Sequence, residues 1–514
     1  MQSVEDYYRY CPNQPHVLIS DAICLGRRRA SYPFCPGCQF NDDEKGGPTR
    51  PGKKSTMIEK VFKAYDVRAT YPEPLNEETA WRIGFAAASF LHTGLRGLER
   101  AAAGASTVVV GRDMRKHSPA LAGALIEGLR ATGSPVIDIG MIDTPQLYFA
   151  VNHLGSCGGI QTTASHNPAN YNGFKICGLR GAPIGVDTGL TDISKIAQNT
   201  TRHDTGQEGP VRTMDLAAEY KAFVRSFLET PRKMRICIDA SNGMAGKWVP
   251  IIFGDVANLD LNCINMEHHG DFKHEPNPLV ESNLDQLREA VRWKRADFGI
   301  CFDGDADRLI VVDEHADIIR CDLLTALLAK RFLERAPGST VVYDLRSSRV
   351  VAEEVEAAGG IPRRERVGHS FMKKALSDSR GIFGGELSGH FYFKDNFFCD
   401  SAMLAMVHVI NTLTRTNQPL SELIAPLLRY YNSGERNFEN TAKDATVAAL
   451  GERYADGRVD FLDGVTVQYS DWWFNVRKSN TEPLLRLNVE AATPELLEKK
   501  FNELAPQLGN PVEH

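Results

Sequence analysis

The chain has 514 residues, with 59 Lys and Arg against 65 Asp and Glu, for a net charge of −6. That length implies about three or four domains, and the mild acidity argues against nucleic-acid binding, which shows as a basic excess or stripe. Hydrophobic residues at 42%, charged residues at 24%, 43 Gly and 26 Pro are globular values, so neither a collagen-like nor a disordered chain fits.

The chain opens Met-Gln-Ser-Val-Glu-Asp, without the apolar stretch of a secretory signal. Its longest apolar runs, Ile83 to Leu91 and Leu323 to Ala329, are far shorter than a membrane span. The expectation is a soluble, multidomain, cytoplasmic protein with no membrane partner. Of the 11 cysteines, Cys157, Cys177, Cys237, Cys263, Cys301, Cys321 and Cys399 are scattered in or beside apolar runs. They read as small buried hydrophobes in a reducing compartment.

Residues 1–56 form an N-terminal extension. It ends in the polar Gly/Pro-rich linker Asp42 to Lys54, DDEKGGPTRPGKK. Cys35-Pro36-Gly37-Cys38 has the spacing of a zinc knuckle, and Cys11 and Cys24 could complete four thiolate ligands for a structural Zn²⁺. A segment without zinc, a redox Cys pair and a true start at Met57 stay open beside that reading.

From Met57 onward, apolar strands run into helical patterns three times. Thr107 to Val110 leads through Gly-Arg-Asp to Pro119–Leu129. Arg235 to Ile238 ends in Asp-Ala-Ser-Asn-Gly. Thr340 to Val342 ends in Tyr-Asp-Leu-Arg before the helical Arg349–Ala358. This alternation predicts α/β units with mixed or parallel sheets. In the last 80 residues, Val465, Val467 and Tyr469, then Leu485, Leu487 and Val489, alternate with polar residues as half-buried antiparallel strands do. Pro494 to Leu504 is the helix that covers one face. The fold class is α/β: three related α/β domains with mixed sheets plus a C-terminal α+β domain. The boundaries fall at 57–208, 209–316, 317–430 and 431–514.

Four loops carry chemistry. Thr162-Thr163-Ala164-Ser165-His166-Asn167-Pro168 presents a Ser among small and polar residues, with Tyr171-Asn172-Gly173-Phe174-Lys175 downstream. No G-x-S-x-G elbow surrounds Ser165, and a Ser beside a His is not by itself a hydrolase triad, so alone the loop reads equally as an ordinary Ser-rich turn. Asp303-Gly304-Asp305-Ala306-Asp307-Arg308 projects three carboxylates between the strands Phe298–Phe302 and Leu309–Val312. Like charges that close call for a hard cation, Mg²⁺ or Ca²⁺ rather than zinc. An EF-hand fails because Arg308 stands where that loop needs Gly, and Arg308 suggests a phosphate nearby. Gly384-Gly385-Glu386-Leu387-Ser388-Gly389-His390 lets the backbone approach a ligand and offers Glu386, Ser388 and His390 to hydroxyls. Arg477-Lys478-Ser479-Asn480-Thr481-Glu482-Pro483 holds the donors that clamp a phosphate dianion.

In this order the loops resemble the α-D-phosphohexomutase family, in its phosphomannomutase/phosphoglucomutase branch. The resemblance runs from about Lys60 to Leu504, with secondary matches at Ala64 to Arg68 and Arg366 to Ser370. It implies four domains around a central cleft and a small phosphosugar as partner, in a monomer or small homo-oligomer. By resemblance, Ser165 carries the transferable phosphoryl group. Asp303, Asp305 and Asp307, with an oxygen on Ser165, bind Mg²⁺. Tyr65, Arg68, His166, Lys175 and Arg308 surround the reacting phosphate, with Lys175 a candidate acid/base and His369 and His390 as helpers. Glu386 and Ser388 read sugar hydroxyls, and Arg477, Ser479, Asn480 and Thr481 grip the other phosphate. The implied reaction interconverts hexose 1- and 6-phosphates through a hexose 1,6-bisphosphate, which also serves as activator. Phosphoglucosamine mutase activity and non-catalytic sugar-phosphate sensing are the alternatives.

Overall fold

The computed structural model describes residues 58–94, 106–202, 208–479 and 484–512, and the backbone of 8–11 and 14–20. The chain divides at Thr56 into two units. In the first, Tyr8–Cys11 pairs antiparallel with Gln14–Ser20. The side chain of Cys11, with Cys24, Cys35 and Cys38, lies outside the described residues, and so does the zinc expectation.

The second unit is built from one sheet plan used three times. In the first domain, Val108–Arg112 lies between Val136–Met141 and Gly158–Thr162, all parallel. Tyr171–Cys177 then returns antiparallel beside Gly158–Thr162, with Val67–Thr70 on the outside. In the second domain, Met234–Asp239 lies parallel between Leu259–Ile264 and Phe298–Phe302, and Leu309–Val312 returns antiparallel. In the third, Thr340–Asp344 lies between Ile361–Glu365 and Phe383–Gly385, and Phe391–Phe393 returns. Each time a hairpin interrupts the parallel pattern after the third parallel strand. Its loop is 163–170, 303–308 or 386–390, which are three of the four loops singled out by sequence.

Helices cover these sheets because their apolar residues recur at helical spacing. Asp143 starts Thr144–His153 by accepting from Gln146 N at 3.1 Å, with Pro145 in the first turn. Ser401 caps Ala402–Thr416 through Leu404 N at 3.2 Å. One apolar cluster runs through all three α/β domains, from Val109 and Leu147 through Ile236 and Phe302 to Val341 and Met403.

The fourth domain is an antiparallel sheet centred on Trp472–Lys478 and Leu484–Ala491. Alternation sends Phe474, Val476, Leu485, Leu487 and Val489 toward the helices Lys443–Arg453 and Pro494–Leu504, in a core of its own. Trp473, Asn475, Arg477, Arg486, Asn488 and Glu490 occupy the opposite face. One expectation fails among the cysteines: Cys263 is exposed, whereas the six others outside the extension are buried. It sits on the edge strand Leu259–Ile264, which has a neighbour on one side only.

Candidate active site

The three hairpin loops meet. Leu309 N donates to Gly389 O at 3.1 Å, and Thr144 N donates to Asp305 O at 3.0 Å. Ser165 stands at the junction, fully buried, with φ 51 in the left-handed region that favours glycine. Its Oγ donates to Asp303 Oδ2 at 2.8 Å and lies 3.3 Å from His166 Nδ1. Gly304 permits the approach, because a Cβ there would lie 2.4 Å from Ser165 O.

Arg115, a residue the motifs did not reveal, holds this loop in its conformation. Nη2 donates to Ser165 O at 2.9 Å and Asn167 O at 2.7 Å, while Nη1 donates to Pro168 O at 2.7 Å and Tyr171 O at 3.1 Å. Asp113 neutralises the guanidinium through Nε at 3.1 Å. Both side chains are fully buried, so the pair is a fixed frame for the serine loop. The only signal in the sequence was Asp113-Met114-Arg115 at the end of an apolar strand.

In the acidic loop, Asp303, Asp305 and Asp307 are buried and converge closely enough to share one ion. Burial and the carboxylates of Asp307 and Asp305 push Asp303 up to about 8, the signature of a site short of positive charge. Lys175 supplies part of it, donating to Asp305 Oδ2 at 2.7 Å and Asp307 Oδ2 at 2.5 Å. Burial alone would lower the Lys175 ammonium, but Asp305 and Asp307 outweigh it, and the group is held above its ordinary value. It therefore keeps its proton in this state. Asp305 Oδ1 is buried without a hydrogen-bond partner and Asp307 Oδ1 faces only the His390 imidazole at 3.3 Å and Arg308 Nε at 3.9 Å, so hard oxygen donors remain for a divalent cation. These residues fit Mg²⁺.

Cations and imidazoles ring this centre. Arg68 Nη1 donates to Asn167 Oδ1 at 2.7 Å, and Asp66 takes Nη2. Arg308 Nε meets His390 Nε2 at 3.2 Å and lies 3.8 Å from Asp303. His166 is pushed well below the usual imidazole range by burial and then by Arg308, Arg68 and Lys175. Burial, Lys373 and His390 do the same to His369. His369 packs edge-on against Tyr65, with ring centroids 5.6 Å apart, and 6.0 Å from His390.

The loop 386–390 joins through its ends. Glu386 Oε1 accepts from Gly368 N at 2.9 Å and Oε2 from Tyr392 Oη at 2.5 Å, while His390 Nδ1 lies 3.4 Å from Oε2. Gly368 has φ 133, and a Cβ there would sit 2.7 Å from the Tyr65 ring. Ser388 Oγ lies 3.0 Å from His390 Nδ1. A second group of potential ligands, Asp307, His390 and Asp400, already has the Lys373 ammonium as its counter-charge. Lys373 Nζ lies 2.8 Å from Asp400 and over the ring of Tyr148 at 3.9 Å.

On the fourth domain, Arg477 is buried on the polar face of the sheet and donates to Glu435 Oε2 at 2.8 Å. Ser479 N donates to Leu484 O at 2.9 Å. Asn480 and Thr481 lie outside the described residues. Arg346 and Glu435 are among the charged residues here that sequence reading missed. They line a cavity of about 350 Å³ with Leu387 and Ser388.

Known proteins are similar to this chain across these four domains. Models of phosphoglucomutase/phosphomannomutase alpha/beta/alpha domains I, II and III match residues 59–204, 216–316 and 321–431, and the model of the C-terminal domain matches 435–507. A protein of Xanthomonas campestris pv. campestris described as "phosphohexose mutases" is 37% identical, with 87% of this chain and 98% of that one covered. An Escherichia coli phosphomannomutase is 36% identical over 86% of this chain and 98% of its own. A crystal structure of a phosphoglucomutase/phosphomannomutase family protein from Burkholderia thailandensis superposes with a TM-score of 0.79 at 33% identity, covering 87% and 96% of the two chains. With all four domains matched in order, the chain belongs to the phosphoglucomutase/phosphomannomutase family of phosphohexomutases.

Proposed function

We propose that this phosphohexomutase interconverts the 1- and 6-phosphates of mannose and glucose, passing the phosphoryl group through Ser165. The observation that supports this reading best is the meeting of Ser165 Oγ with Asp303 Oδ2 at 2.8 Å, inside a ring of Lys175, Arg68 and Arg308. Phosphoserine165 gives its phosphoryl group to the free hydroxyl of a hexose phosphate. The P–O bond to Ser165 breaks and a P–O bond to the sugar forms; a neutral imidazole, His166 or His369, takes the hydroxyl proton, and the Ser165 oxygen takes a proton from the Lys175 ammonium, the candidate acid. The resulting 1,6-bisphosphate turns end for end and returns its other phosphoryl group to Ser165.

Asp303, Asp305 and Asp307, with an oxygen on Ser165, would hold Mg²⁺, which when bound offsets the charge spreading over the transferred group. Arg68, Lys175 and Arg308 supply further fixed positive charge at no reorganisation cost. Arg477, Ser479, Asn480 and Thr481 grip the phosphate that is not reacting. Glu386 and Ser388 contact hydroxyls shared by mannose and glucose, so the 2-position is left unread and both sugars are accepted.

The test is a side-by-side isomerisation assay on mannose, glucose and glucosamine 1-phosphates with Mg²⁺ and a trace of bisphosphate. Turnover of mannose and glucose with little glucosamine is expected. Preference for glucosamine would overturn the specificity, and full activity in Ser165→Ala would overturn the mechanism.

A further inference from the structure

Glu435 precedes the strand Arg436–Glu439, just after Gly434 at φ 64. Both of its carboxylate oxygens are engaged by the polar face of the fourth domain. Oε2 accepts from Arg477 Nη2 at 2.8 Å, and Oε1 from Arg486 Nη1 at 2.9 Å. Arg346, from the third domain, reaches to 3.8 Å. The Arg477 side chain is 3% exposed and its Nε is buried without a hydrogen-bond partner, whereas the Glu435 side chain keeps 24% exposure.

An arginine takes a phosphate side-on through Nε and Nη2 together. At Arg477 one half of that fork is open and the other half is given to Glu435. The carboxylate thus stands where a phosphate oxygen would have to enter. Its neighbour Arg346 carries the contact onward: Nη2 donates to Asp344 Oδ2 at 2.9 Å, and the same oxygen accepts from Leu387 N of the sugar loop at 2.7 Å.

We propose that Glu435 is the resident counter-anion of the phosphate grip and trades places with substrate phosphate on Arg477 at each binding event. This rests on the reading of Arg477 as part of that grip. No covalent bond changes in the exchange; one carboxylate pair is replaced by one phosphate pair. A bisphosphate that must turn over has to leave the grip in every cycle. Leaving a buried guanidinium bare is costly, and a carboxylate already on site removes that cost. Glu435 is a positioning residue that speeds release at the expense of affinity.

Glu435→Gln keeps the shape and removes the charge. The expected result is a KM for hexose 1-phosphate and a Ki for inorganic phosphate that both fall roughly fivefold, the scale of a partly exposed ion pair, together with a lower kcat. A KM and Ki that stay put or rise overturn the exchange, because a residue that merely holds Arg477 in place would weaken binding when lost. Should Glu435→Gln fail to fold, Glu435→Asp keeps the charge but draws it back by one methylene. It is expected to tighten inorganic phosphate by a smaller factor, and unchanged or weaker binding overturns the proposal. Arg477→Ala separates the two readings. If it leaves KM and Ki unmoved, the grip itself is misassigned and the exchange falls with it. If it weakens both while Glu435→Gln moves neither, the exchange alone is lost.

Discussion

Ser165 keeps a left-handed backbone, which costs a non-glycine residue about 1–2 kcal/mol, because Arg115 takes four carbonyls of its loop at once. Arg115→Met would leave Asp113 as a buried, unpaired carboxylate, a loss of about 3–5 kcal/mol. Denaturant unfolding should show that loss, and turnover should fall with it. Such a residue could not be read from sequence, since its partners are backbone oxygens, which carry no side-chain identity. The carboxylates of 303–308 were legible for the opposite reason: three like charges in six residues have few uses besides a cation. His408 gives a pH test away from the site. Burial against Phe332 and Phe393 pushes its imidazole down to about 4. Unfolded, it titrates near 6.5, so between those values the unfolded chain binds more protons. Stability present above pH 6.5 is lost as pH falls toward 4. For this partly accessible ring the loss should be about 1–2 kcal/mol between pH 7 and 5. Urea unfolding at the two pH values should show that difference, and His408→Phe should abolish its part of it.

At the scale of elements, the hairpin that breaks each parallel sheet is what brings the loops together. Phe298–Phe302, Leu309–Val312 and Pro494–Leu504 match their sequence reading in both limits, because turn residues or a helix start bound each apolar pattern sharply. The equivalence of the three sheets was only faintly legible, since it lives in strand pairing between segments far apart in the chain. Gly304→Ala tests the packing of hairpin on hairpin. Its Cβ would collide with Ser165 O, at 2.4 Å, and a displacement of about 1 Å at a reacting group costs roughly 100-fold in rate. Steady-state assays should show that loss, and the unfolding midpoint should fall as well, because the clash is with a buried backbone oxygen and overpacking costs about 1–3 kcal/mol. The charge deficit of the acidic loop gives a second expectation. Removing divalent cations should stop turnover, and adding Mg²⁺ back should raise stability by about 2.7 kcal/mol once it reaches 100 times its Kd. Calorimetry with and without Mg²⁺ reads this independently of activity.

Across the whole molecule, the three α/β domains share a continuous apolar cluster, while the fourth has its own. The fourth meets the third through polar groups: Arg349 donates to Ser470 O at 2.7 Å and Tyr469 O at 3.1 Å, and its backbone N to Glu490 Oε1 at 3.1 Å. Contacts of that kind can be broken and remade at modest cost. Arg349→Ala should loosen the seam, raising KM for hexose 1-phosphate about fivefold, near 1 kcal/mol, with faster amide exchange over 469–473. The sequence showed the change of architecture near the C-terminus, through the switch to strict alternation. It could not show the seam, because Arg349, Tyr469 and Glu490 have no common motif. The closed core of the fourth domain has a further consequence. A segment that satisfies its own apolar face can be altered from within, residue by residue, without reopening the core that the other three domains share.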